Sequence, residues 1–87
     1  MTITIEFFGI PRERAGVAAC EVEAHTLADA LRATGKLYPL FATACLDDDK
    51  LQPGYLANIN GTCFTNNPGT MLKEGDAVLV LSADVGG

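Results

Sequence analysis

Apolar and polar residues alternate from Thr2 to Phe8. Ile3, Ile5 and Phe7 fall on one side, and Thr2, Thr4, Glu6 and Phe8 on the other. A period of two predicts a half-buried strand with its aliphatic face inward. Gly9, Pro11 and Gly16 bracket a stretch that reads as a polar loop. A weaker alternation then resumes in VAACEVEA, where Ala18, Cys20, Val22 and Ala24 face one way and Glu21 and Glu23 the other. Two such strands form an antiparallel hairpin, although a loop of about eight residues exceeds the usual two to five.

The period then changes. Thr26 is placed to cap a helix, with Asp29 in the first turn, and Leu27, Ala30, Leu31 and Tyr38 fall on one stripe. Gly35 weakens that helix by roughly 1 kcal/mol relative to alanine, and Pro39 ends it. LFATACL suggests one more short helical turn, and Asp47-Asp48-Asp49-Lys50 a solvated loop. YLANIN reads as a short strand, Asn60-Gly61 as a tight turn and TCF as the strand across from it. Asn66-Asn67-Pro68-Gly69 is a further turn, and Lys73-Glu74-Gly75-Asp76 leads into the last strand, AVLVLSA.

The final strand alone is continuously apolar, which places it in the middle of the sheet. After a right-handed crossover it can lie parallel beside the first strand. One helix crossing a small mixed sheet of four to five strands buries both apolar surfaces in two layers. The predicted architecture is a single-domain α+β β-grasp over residues 1–81, with residues 82–87 as an extended tail.

Composition narrows the functions open to it. With 87 residues, 48% hydrophobic and 20% charged, the chain suits one domain with one modest core. A net charge of −5 argues against nucleic acid and anionic membranes, which need a basic surface, and favours a partner with a basic one. Basic residues follow the first apolar stretch rather than precede it, the wrong order for a secretory signal, so the expected location is cytoplasmic. Cys20, Cys45 and Cys63, an odd number without a C-x-x-C pair, read as small buried hydrophobes rather than a disulfide framework.

Side-chain catalysis finds little support. His25, the one histidine, lies in a polar turn and reads as structural; neither a Cys–His nucleophile pair nor a zinc spacing is present. The three aspartates lack a calcium-loop pattern, no glycine-rich phosphate loop occurs, and no metal site is expected. Two features call for another explanation. Phe8 shares an outward face with Leu79 and Leu81 of the last strand if Val78 and Val80 point inward, which makes an apolar partner surface. A bend at Gly9 that buries Phe8 in a rim cluster is equally open.

The other feature is Gly86-Gly87. Two terminal glycines occur by chance in roughly 0.5% of chains. Lacking Cβ, they form a thin thread that takes any φ/ψ and suits a narrow channel. The group it delivers is an α-carboxylate, ionised at neutral pH because its pKa is ~3.5. This is a competent nucleophile toward the α-phosphate of ATP and a poor acyl donor until activated.

Taken together, IEFFGIPRERAG, the Thr26 helix, YLANINGT, LKEGDAVLVL and the terminal Gly-Gly resemble the ubiquitin-like sulfur carriers, and among them the small subunit of molybdopterin synthase. The resemblance implies that an E1-like adenylyltransferase uses Mg·ATP to convert the Gly87 carboxylate to an acyl-adenylate. A persulfide sulfur donor then yields a thiocarboxylate. The tail, with Asp84, Val85 and Gly86, enters the large synthase subunit and gives sulfur to cyclic pyranopterin monophosphate. No permanently bound cofactor is implied. Phe8 and Leu81 match apolar docking positions of the family, and Arg12 a polar one. The chain departs at Ser82-Ala83-Asp84-Val85, where the small synthase subunits often carry Pro-Pro-Val-Ser/Thr. That leaves open carriers for thiazole, cysteine or tungsten-cofactor pathways, a protein modifier, or an interaction module with inert glycines.

Overall fold

The computed structural model describes residues 1–83. In chain order these form β1 (Thr2–Phe7), α1 (Ile10–Ala15), β2 (Ala19–Glu23), α2 (Leu27–Leu37), α3 (Pro39–Cys45), β3 (Leu46–Asp47), β4 (Lys50–Leu51), β5 (Tyr55–Ile59), β6 (Cys63–Thr65) and β7 (Ala77–Ser82). Five strands make one mixed sheet in the order β2-β1-β7-β5-β6, and β3 and β4 form a separate two-stranded hairpin. The apolar last strand is central as expected, parallel to β1 and antiparallel to β5. The fold is a β-grasp.

Alternation along the strands decides what enters the core. Ile3, Ile5 and Phe7 of β1 and Val78 and Val80 of β7 are buried on one sheet face, where α2 and α3 cover them with Leu27, Ala30, Leu31 and Phe41. The Phe7 ring meets Tyr38 and Phe41 edge-on, with centroids 6.0 and 5.2 Å away. Thr26 caps α2 as read from the sequence, its Oγ1 accepting from the Asp29 N–H at 3.1 Å. Thr34, absent from the predicted stripe, is fully buried in α2. It remains satisfied because Oγ1 donates to the Ala30 carbonyl at 2.7 Å.

Three expectations needed revision. The stretch between Gly9 and Gly16 is the helix α1 rather than a polar loop. Pro11 sits in its first turn, where a missing N–H costs nothing, and is buried. Gly16 closes the helix in the left-handed region, φ 78°, its N–H bonded to the Arg12 carbonyl at 2.9 Å. Residues 40–45 of LFATACL lie in a two-turn helix, α3, longer than the single turn expected, and the aspartate triplet is no loop: Asp47 ends β3 opposite Lys50, with Asp48-Asp49 as the hairpin turn. Arg32 of α2 ties that turn down through Asp49 at 3.0 Å. Among the described residues no helix is long and apolar enough to cross a membrane.

Candidate docking face and the root of the C-terminal tail

Helices cover only one face of the sheet, so the other carries the candidate site. Register assigns its side chains to rows, since residues directly opposite share a face. The row nearest the end of β7 is Phe8, Leu81 and Leu56: Leu81 pairs with Leu56, and the Phe8 N–H donates to the Val80 carbonyl at 3.0 Å. Next come Glu6, Leu79, Asn58 and Phe64, linked by the Glu6–Leu79, Asn58–Leu79 and Asn58–Phe64 pairings. Beyond lie Thr4 and Ala77, with Glu21 across from Thr4, and then Thr2 with Glu23. The face therefore runs from apolar, where β7 ends, to acidic at the far side.

Phe8 is 57% exposed and Phe64 62%, while Leu56, Leu79 and Leu81 are half-buried. Of the two placements open for Phe8, the structure adopts the exposed one: the chain passes through Gly9 at φ 71° into α1 and leaves the ring outside. Phe8, Leu79 and Leu81 are thus brought together as a continuous apolar surface. Arg12 is not part of it. It is exposed on α1 and lines a separate groove with Gly9, Glu13, Gly16, Val17 and Ala18. Leu56 and Phe64 extend the surface and were not singled out from the sequence. Their signal lay in the alternation of YLANI and CFT, readable only once β5 was known to pair with β7.

Asn60 and Asp76 fix the far end of β5 against the start of β7. Asn60 occupies a left-handed turn position, φ 55°, followed by Gly61 at φ 74°, the geometry that makes Asn-Gly a hairpin turn. Its amide donates to Asp76 Oδ1 at 2.9 Å while its Oδ1 accepts from the Ala77 N–H at 2.8 Å. Asp76 Oδ2 also accepts from the Lys73 N–H at 2.8 Å. The Asn60 amide, and then the Lys73 N–H, hold the Asp76 carboxyl below its ordinary value against the opposing effect of burial. At the other end the Ala83 N–H donates to the Gly54 carbonyl at 2.7 Å, so the backbone is held up to the root of the tail beside the apolar row. Asp84, Val85, Gly86 and Gly87, on which the tail reading rests, lie outside the described residues.

Burial raises the Cys20 and Cys45 thiols above their ordinary values despite hydrogen bonds with Tyr38 and Tyr55, which disfavours the nucleophilic thiolate. Of the three cysteines expected to be buried, only Cys45 is: Cys20 is half-buried on β2 and Cys63 is exposed on β6, both edge strands of the sheet. His25 is an exposed corner residue whose N–H donates to Asp29 Oδ2 at 3.3 Å and whose carbonyl accepts from Leu72. No metal-binding group of three or more His, Cys, Asp or Glu occurs among the described residues.

A central strand parallel to the first, a helix across one sheet face and an exposed apolar patch where the last strand ends define a ubiquitin-like β-grasp protein. Solved structures share this fold over nearly the whole chain. SAMP1 of Haloferax volcanii, a small archaeal modifier protein, matches with TM-score 0.85 at 23% identity, covering 100% of both chains. A chain of the BexX/CysO complex of Amycolatopsis orientalis matches with TM-score 0.80 at 18% identity, covering 98% of this chain and 99% of that one. A protein assigned as molybdopterin converting factor subunit 1 from Pyrococcus furiosus matches with TM-score 0.73 at 22% identity, covering 94% and 97%. No family model matches the sequence, and no curated relative matches it. The resemblance read from the sequence motifs is thereby borne out as a ubiquitin-like fold.

Proposed function

We propose that this chain is a sulfur carrier acting as the small subunit of molybdopterin synthase, with the Gly87 carboxylate as its reactive group. The observation that carries the reading is the Phe8–Leu81–Leu56 row, Phe8 exposed and the two leucines half-buried, on the uncovered sheet face where β7 ends. A partner seated on that row has the root of the tail at its edge. The Pyrococcus furiosus subunit shares the fold, which supports this branch.

The chemistry follows from the carboxylate. One oxygen attacks the α-phosphorus of Mg·ATP on an E1-like enzyme, pyrophosphate leaves, and an acyl-adenylate remains. The terminal sulfur of a donor persulfide attacks the acyl carbon and displaces AMP. A thiol then cleaves the acyl disulfide to leave a thiocarboxylate on Gly87. Within the large synthase subunit, threaded by Asp84, Val85 and Gly86, this sulfur passes to cyclic pyranopterin monophosphate. The carrier's own side chains perform none of these steps, in keeping with its raised inner thiols. Phe8, Leu79 and Leu81 dock against the partners, and Arg12 adds a polar contact from its separate groove on α1.

A second reading is favoured by the likeness to SAMP1: a protein modifier in which Gly87 ends as an isopeptide on a lysine. Incubation with an E1-like enzyme, Mg·ATP and a persulfide source separates the two by mass. A carrier gains the difference between one sulfur and one oxygen atom, whereas a modifier forms adducts heavier by a whole chain. If neither species forms, both readings fail.

A further inference from the structure

One long stretch of this chain carries no charge. Between Lys50 and Lys73 there is no Asp, Glu, Lys, Arg or His, although 20% of all residues are charged and the net charge is −5. That stretch supplies β5, β6 and the loops around them, so β6 closes the sheet on its uncharged side. Edge strands ordinarily guard their open backbone with charged side chains or proline. The opposite edge, β2, does so with Glu21 and Glu23. The β6 strand, Cys63-Phe64-Thr65, has neither guard, and Phe64 is 62% exposed on it.

Register fixes which backbone groups this edge offers. The Gly54 carbonyl accepts from Ala83 and the Asn60 N–H donates to the Ala77 carbonyl, so alternate residues of β5, from Gly54 to Asn60, bond toward β7. Ala57 and Ile59 therefore bond the other way, to Thr65 and Cys63 of β6. Phe64 lies between those two, and its own N–H and carbonyl point out of the sheet. Among the described residues the N–H has no acceptor, and the carbonyl meets only the Cys63 thiol, 3.8 Å away. A residue that presents both groups can exchange two hydrogen bonds with the same residue of an antiparallel copy, a pairing closed by a two-fold axis.

We propose that β6 joins two copies of this chain edge to edge, antiparallel and with Phe64 opposite Phe64, into one sheet with five strands from each copy. The charge pattern selects a second copy as the occupant. Two chains of net charge −5 repel each other, and least where both surfaces are uncharged. Directly opposite residues share a sheet face, so the two Phe64 rings pair on the open face. Both open faces then lie on the same side, and the Phe8–Leu81 rows stay uncovered. A partner meets two docking faces instead of one. Three residues a side bury less than the ~1,200 Å² of a standard interface, so the dimer is weak and fills at high local concentration. The inference does not depend on the chemistry proposed for Gly87.

The test uses the full ¹⁵N-labelled chain. Between about 0.05 and 2 mM protein, the amides of residues 62–66 should shift with concentration while those of Phe8 and Leu81 stay fixed. Because like net charges oppose the contact, raising NaCl from about 20 to 300 mM should strengthen it a few-fold. A cross-link reads the register. Cys63 stands opposite Thr65 of the second copy, with Cα atoms about 4.5 Å apart, so Thr65→Cys should give a disulfide dimer under mild diamide oxidation. The two native Cys63 residues lie on a diagonal of about 7–8 Å, beyond disulfide reach, and should not link. Phe64→Glu sets like charges directly opposite and should abolish both the shifts and the link while leaving Tm close to that of the native chain. Native chain that links as readily as Thr65→Cys, or a link that survives Phe64→Glu, would overturn the proposed edge pairing. Shifts confined to Phe8, Leu79 and Leu81 would move self-association to the sheet face and overturn it too, as would spectra unchanged over the whole concentration range or a contact weakened by salt.

Discussion

At the scale of single residues, Asn60 concentrates several tasks in one side chain. It supplies the left-handed turn, joins β5 to β7 through Ala77 and holds the Asp76 carboxylate. Asn60→Gly keeps the backbone freedom and removes the amide, so the loss isolates the hydrogen bonds. The expected cost at neutral pH is about 1.5–3 kcal/mol, the range for a bond to a charged group. Its pH dependence has a definite sign. Because the folded Asp76 pKa is lowered, its stabilisation is present above the unfolded value and is lost as pH falls below about 4. Removing Asn60, the largest cause of the shift, should flatten the acid limb, so the stability gap between the two proteins narrows as pH drops toward about 3. Urea unfolding at a series of pH values measures this, and a gap that widens in acid would contradict the assignment. The Asn-Gly turn could be read from the sequence. Its coupling to Asp76 could not, because the two are 16 positions apart and meet only through the β5–β7 register.

At the scale of elements, Gly35 shows where propensity misleads. In isolation it weakens α2, and alanine should improve the helix by about 1 kcal/mol. In the fold, a Cβ at that position would lie 3.0 Å from Leu46 Cδ1 and 3.3 Å from Ala42 Cβ. Ala42 is fixed within α3, so relief has to come from Leu46, itself buried. Overpacking costs about 1–3 kcal/mol and outweighs the gain. Gly35→Ala should therefore lower stability by about 1 kcal/mol, measurable as a reduced urea midpoint at unchanged slope. The elements with clear periods were the legible ones: β1, β2, α2, the Asn-Gly hairpin and the central last strand. α1 was missed because Gly9, Pro11 and Gly16 resemble loop punctuation, although a proline in the first turn and a glycine past the last also frame a helix. The Phe8–Leu79–Leu81 part of the candidate docking face followed from strand parity. Leu56, Phe64 and Asn58 did not, since parity within a strand gives no information about which strand lies beside it.

At the scale of the whole molecule, the proposed function assigns stability and activity to different parts of the chain. Among the described residues, every buried hydrophobic core residue lies between Ile3 and Val80 in the sequence and clear of the open sheet face. Two classes of variant should consequently separate. Deleting Gly87 should leave Tm and the amide spectrum of residues 1–83 unchanged and abolish the oxygen-to-sulfur mass exchange completely, because the acyl carbon then sits one residue short of the activating site. Phe8→Ala and Leu81→Ala should weaken partner binding by about 1–3 kcal/mol while changing stability little, Phe8 least because it is the more exposed. Calorimetric titration with the activating enzyme and thermal melts distinguish the outcomes. A large drop in Tm with unchanged affinity would make the Phe8–Leu81 row part of the core rather than a surface for docking. Retained exchange without Gly87 would remove the carboxylate from the mechanism, whatever the face binds. On the proposed function, the scaffold's reactivity cannot be found by searching its side chains: the sheet would position a partner, and the chemistry would be carried on the backbone that leaves it.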